Sequence, residues 1–164
     1  MKFKALSMAL LLVISSGSAL AASPLTAKAL AAQLKGKSAT EVTAILKSAV
    51  SSAATANTSN QTALAALVAA YAKSNPKYAA EISTLAIKEA PASVAKIVEA
   101  VTKSTPSAAA QISSEAIKAS PAAASTIVAA ATKAAPAKAS EIVSKALDSG
   151  SSVSAGDIVA AATK

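Results

Sequence analysis

PKYAAEISTLAIKEA (76–90), PASVAKIVEAVTKST (91–105), PSAAAQISSEAIKAS (106–120), PAAASTIVAAATKAA (121–135) and PAKASEIVSKALDSG (136–150) follow one another without a gap. Five prolines, Pro76, Pro91, Pro106, Pro121 and Pro136, therefore stand 15 residues apart. Unit position 7 is Ile in every copy: Ile82, Ile97, Ile112, Ile127 and Ile142. Position 11 is Ala or Val, and position 13 is Lys88, Lys103, Lys118 and Lys133, then Asp148. Self-similarity at a fixed interval is the mark of a repeat architecture, in which each unit is stabilised by its neighbours.

The register extends in both directions. Upstream it gives units starting at 24, 39 and 61, with an insert at 54–60 rich in Thr, Asn and Ser; downstream, one extra residue near Gly150 moves the last unit to 152. A period of 30 lies on top. Position 12 alternates between aliphatic and Thr (Ile87, Thr102, Ile117, Thr132, Leu147, Thr163), and Glu81, Gln111 and Glu141 share position 6 of the aliphatic units. The longer repeat is thus a pair of unlike units.

Each unit reads as a short helix. Proline loses nothing at the first helical position, where the N–H has no partner anyway. Asn75, Thr105 and Ser120 precede their prolines and are expected as N-caps, whereas Ala90 and Ala135 cannot cap, so their turns should be weaker. Positions 4, 7, 8 and 11, shown best by Val94, Ile97, Val98 and Val101, follow the i, i+3, i+4, i+7 rule for one buried face. Five interior prolines in one long helix would cost about 3 kcal/mol each, so two-residue breaks between antiparallel helices are expected instead. The expected fold class is all-α: a right-handed-type α-solenoid of antiparallel helices of about 12 residues, with units paired into 30-residue hairpins. This resembles tetratricopeptide and HEAT arrays with shorter helices. No tetratricopeptide signature residue is present, so the resemblance implies architecture and no function.

Composition agrees. Of 164 residues 48 are Ala, the best helix former, and only four are Gly. All 16 basic residues are Lys against 8 acidic ones, a net charge of +8. The absence of Arg argues against sequence-specific reading of nucleic acid. Residues 1–21 read as a secretory signal peptide: Lys2 and Lys4, an apolar run from Ala5 to Ile14, and Ala19-Leu20-Ala21 as an A-x-A cleavage site. The remainder, 22–164, is then a single Ala-rich repeat domain with no membrane span, exported to the periplasm or beyond.

No Cys and no His means no disulfide framework, zinc finger, haem attachment, Cys nucleophile or Ser-His-Asp triad. The acidic residues are scattered, with no D-x-D, H-E-x-x-H or G-x-S-x-G pattern. No catalytic, metal or cofactor residue is expected, and the chain reads as non-enzymatic. Two groups remain as candidate contacts. Lys73, Lys88, Lys103, Lys118, Lys133 and Lys164 recur near helix ends, where Lys complements the helix dipole, and stacking would align them in two rows able to hold an anionic polymer or lipid surface. Tyr71 and Tyr78 straddle Pro76 and are the candidate protein contact. Lys133 to Lys138 resembles Lys-Ala-Pro tails that bind heparin or DNA, but core positions Ile127 and Ile142 flank it. The column Thr102, Thr132, Thr163 resembles the Thr faces of helical ice-binding proteins at too wide a spacing. The expected role is a structural or protein-binding module that self-associates or takes a protein partner; the alternative is a cationic binder of membrane lipid, polysaccharide or nucleic acid.

Overall fold

The computed structural model describes residue 44 and residues 58–163, with side chains from Gln61 onward in that second span. The signal-like segment 1–21, the units begun at 24 and 39, residues 54–57 of the insert and Lys164 lie outside the described residues. The described chain is helical throughout its regular elements: α1 (Thr58–Ser74), α2 (Ala79–Glu89), α3 (Val94–Ser104), α4 (Ala109–Ala119), α5 (Ala124–Ala134), α6 (Ala139–Leu147) and α7 (Ala155–Ala162).

The breaks are shorter than the sequence suggests. Each proline opens a three-residue 3₁₀ turn, such as Pro91–Ser93, and the α-helix begins directly after it. One residue alone leaves the helical region: Asn75, Ala90, Thr105, Ser120 and Ala135 have φ between −137° and −143° and ψ between 67° and 75°. A following proline disfavours the α region for the residue before it, so the break falls where the proline dictates. The residue at the break is hydrogen-bonded through both its N–H and its carbonyl. The Ala90 N–H donates to Ala86 O at 2.9 Å, and its own carbonyl accepts from Ser93 N at 2.9 Å.

This corrects the capping expectation. Asn75, Thr105 and Ser120 make no side-chain cap to the helix that follows. Thr105 Oγ1 donates backward to Val101 O at 2.9 Å, and Asn75 Nδ2 to Tyr71 O at 3.4 Å. Ala90 and Ala135 hold the same backbone geometry as the polar residues, because backbone bonds close every junction. The insert is corrected too: Thr58, Ser59 and Asn60 open α1. No proline precedes Gln61 to force a break, and Ser, Thr and Asn suit a helix start.

Packing follows the 30-residue period. Each helix packs most extensively against the helix two places along: α1 on α3, α3 on α5, α5 on α7, and likewise α2 on α4 and α4 on α6. The helices thus fall into two interleaved files. Helices of 8–11 residues are marginal alone, so this contact stabilises them. Ile97, Ile112, Ile127, Ile142 and Ile158 are fully buried, each contributing about 1.5–3 kcal/mol.

A helix flanked on several sides buries more than one stripe, so the buried arc extends beyond positions 4, 7, 8 and 11 to position 12. Ile87, Thr102, Ile117 and Thr132 are all buried. Position 8 alternates in the opposite sense, with Ser83 and Ser113 in one file and Val98 and Val128 in the other. The buried serines are satisfied within their own helices: Ser83 Oγ donates to Ala79 O at 2.7 Å, and Ser113 Oγ to Ala109 O at 2.8 Å. Two threonine hydroxyls, on Thr84 and Thr102, are buried without a partner.

The repeat loosens after α6. Gly150 takes φ +69°, a left-handed conformation that glycine adopts without strain. Ser154 then caps α7 properly: its Oγ accepts from Asp157 N at 3.2 Å and donates to Asp157 Oδ2 at 2.7 Å.

Candidate functional site

The lysines of position 13 follow the helices into the two files. Lys73, Lys103 and Lys133 lie in the last turns of α1, α3 and α5, and Lys88 and Lys118 in those of α2 and α4. All five are exposed. At that position a cation faces the partial negative charge of the helix C-terminus, which alone favours it by a few tenths to about 1 kcal/mol.

Three of the five also have a carboxylate neighbour. Lys103 Nζ lies 2.6 Å from Glu99 Oε1, and Lys133 Nζ lies 3.9 Å from that same oxygen. Glu99 therefore ties the end of α5 to α3 along one file. Its carboxyl is held below the ordinary value of 4.5, chiefly by the hydrogen bond from Lys103, with the charges of Lys103 and Lys133 adding to it against a burial penalty. In the other file Lys118 pairs with Glu115 at 2.7 Å. Among the described residues Lys73 and Lys88 make no ion pair. Sequence spacing alone gave the lysines but missed that Glu99 serves two helices, because the second contact is made across the fold.

The tyrosines separate. Tyr71, on α1, is only 5% exposed and belongs to the core. Burial pushes its hydroxyl above the ordinary 10.0, with Tyr78 and Glu81 adding to the shift. Tyr78 ends the first 3₁₀ turn, half-buried, with Lys77 Nζ 5.0 Å from its ring centroid. Of the pair, Tyr78 with its cation is the part a partner can reach. Glu81, Gln111 and Glu141 are exposed, and Glu141 pairs with Lys138 at 2.9 Å, so position 6 is a solvated surface.

Of the threonine column, Thr102 and Thr132 are buried within helix packing, while Thr163 is exposed. Among the described residues no group of His, Cys, Asp or Glu is placed to hold a metal ion, and no helix is long and apolar enough to cross a membrane. Comparison with known proteins finds no matching family, no similar curated protein and no similar solved structure.

Proposed function

We propose that the chain is an exported, non-enzymatic α-solenoid of 15-residue units paired into hairpins, serving as a structural or protein-binding module in the periplasm or extracellular matrix. The observation that carries this reading is the placement of its chemistry. Apart from the buried hydroxyl of Thr102, the repeated polar residues end in solvent, in ion pairs with their own repeat neighbours, or in hydrogen bonds to their own helix backbone. What recurs with precision is the packing surface, which is the property of an array that presents area. Export rests on the charged, apolar and A-x-A segments of residues 1–21.

The test is fractionation and in-situ cross-linking of the chain in its producing cell. The reading expects cleavage after Ala21, recovery outside the cytoplasm and cross-links to protein. An unprocessed cytoplasmic chain overturns it.

A second reading, a cationic binder of anionic polymer or lipid, draws on the net charge of +8 and on exposed Lys73 and Lys88. The carboxylates beside Lys103, Lys118 and Lys133 dilute that field. Binding to anionic vesicles that collapses with rising ionic strength would favour this second reading.

A further inference from the structure

The helices α6 and α7 are the only described ones with no helix two places further along, and their burial differs from that of their predecessors in one direction. Ile142 and Ala146 of α6 and Ile158 of α7 stay buried like their counterparts, while Ala162, at the position of Ala131 and Ala146, is half-buried. Exposure appears at positions 4, 8 and 12; at position 4, Ala139 is half-buried and Ala155 exposed where Ala109 and Ala124 are fully buried. In α5, Val128 and Thr132 are 0% and 6% exposed, whereas Val159 and Thr163 of α7 face solvent, Val159 at 47%. In α4, Ser113 and Ile117 are both 0% exposed; their α6 counterparts are Val143, half-buried, and Leu147, at 43%. Leu147 and Val159 are the exposed large apolar residues of the described chain. The uncovered face is thus the one that every earlier helix presents to the next member of its file.

An array that ends by design turns a polar face outward, since a terminal unit has no neighbour to cover apolar area. The last two described helices do the opposite. Val159 and Thr163 repeat the buried pair of α5, and Val143 with Leu147 is larger and more apolar than the Ser113 and Ile117 pair of α4. Charges near this end, Glu141, Lys145, Asp148 and Asp157, fall at other unit positions. The face therefore continues an interface already built inside the chain, and the surface known to fit it is another repeat helix of the same kind.

We propose that Leu147 and Val159 mark an interface for a second copy of this chain, which stacks on α6 and α7 as the next members of the two files. The proposal rests on the structural-module reading and gives it a partner. A contact between unlike ends does not close on itself, so assembly grows with concentration.

The test is light-scattering mass of the full chain across a concentration series in low and high salt, beside a Leu147→Glu/Val159→Lys double variant. Wild type should grow in mass with concentration at both salts, and the double variant should stay at one chain with unchanged helicity by circular dichroism. Val159→Ser gives the same comparison should the charges cost helicity. A wild-type chain that stays single overturns the proposal and leaves the face to a foreign protein or to the chain's own N-terminal segment. A variant that assembles like wild type overturns it as well. Either failure leaves the export and cross-linking result untouched, so the two readings fall separately.

Discussion

In the file of α1, α3, α5 and α7 the interior helices carry Val and Thr at positions 8 and 12, as Val98 with Thr102 and Val128 with Thr132. In the file of α2, α4 and α6 they carry Ser and Ile, as Ser83 with Ile87 and Ser113 with Ile117. All eight side chains are buried. Val with Thr divides the bulk evenly between the two positions, whereas Ser with Ile gathers it at position 12, so bulk is conserved per helix while its distribution differs. Close packing tolerates volume-conserving exchange far better than a change in total volume. The difference between the files is thus one of where the bulk sits along the helix.

The largest effect should come where the files do not differ. Ile97 and Ile112 both occupy position 7 and are fully buried. Ile97→Asp and Ile112→Asp should each cost about 4 kcal/mol or more, because an unpaired charge enters the core. Helicity by circular dichroism should fall well beyond the altered unit, since neighbours share the core. A wild-type spectrum from either variant would break the picture of a shared core.

Next come changes that convert one file's pair into the other's. Ser113→Val overpacks and should cost about 1–3 kcal/mol, and Ile117→Thr should cost about 2–3 kcal/mol through lost methylenes and a buried hydroxyl. Combining them restores the bulk in its alternative place. The double variant should be less destabilised than the sum by about 1 kcal/mol in denaturant unfolding. Strict additivity would refute the conserved bulk.

A finer comparison lies within one file. Thr132 Oγ1 donates to Val128 O at 2.8 Å, whereas Thr102 Oγ1 is buried without a partner. Replacing an unsatisfied hydroxyl by a methyl of the same shape removes a desolvation cost, so Thr102→Val should stabilise by about 1 kcal/mol and Thr132→Val by less. Equal responses in thermal unfolding would show that both hydroxyls are bonded.

The smallest effect concerns acid. Because the Glu99 carboxyl is held below 4.5 in the folded chain, its contribution is present above that value and is lost as pH falls through the lowered one. The pair is partly exposed, so the loss is at most about 1 kcal/mol. Glu99→Gln should flatten the stability profile below pH 4.5, read by denaturant unfolding across a pH series.

The helical class, the 15-residue interval and the buried Ile column were legible because proline spacing and apolar periodicity are local signals. The single-residue break was not, since proline fixes the residue before it as well as its own φ. Nor was the role of Asn75 and Thr105: their side chains could bond forward or backward, and each bonds back to the carbonyl that already accepts its own backbone N–H. Position 12 looked like a mere alternation because its burial depends on neighbours two units away. The Ser154 and Asp157 cap carried a readable signal, Ser followed three residues later by Asp before Ile158 and Val159. Of the candidate contacts, the lysines were legible as a column and Glu99 and Glu115 lie at local i,i+4 and i,i+3 spacing from Lys103 and Lys118, but the reach of Glu99 to Lys133 needed the packed chain.

The alternation of files gives the molecule a parity. Removing residues 91–105 would set α4 against α1 and α5 against α2, bringing unlike helices together at the two contacts that span the deletion, while α4 on α6 and α5 on α7 would keep their own kind. Removing residues 91–120 would leave every later helix among its own kind and shorten the molecule by one complete period. A change in length by an even number of units thus leaves every contact between like helices, so the chain counts in twos although it is written in units of one.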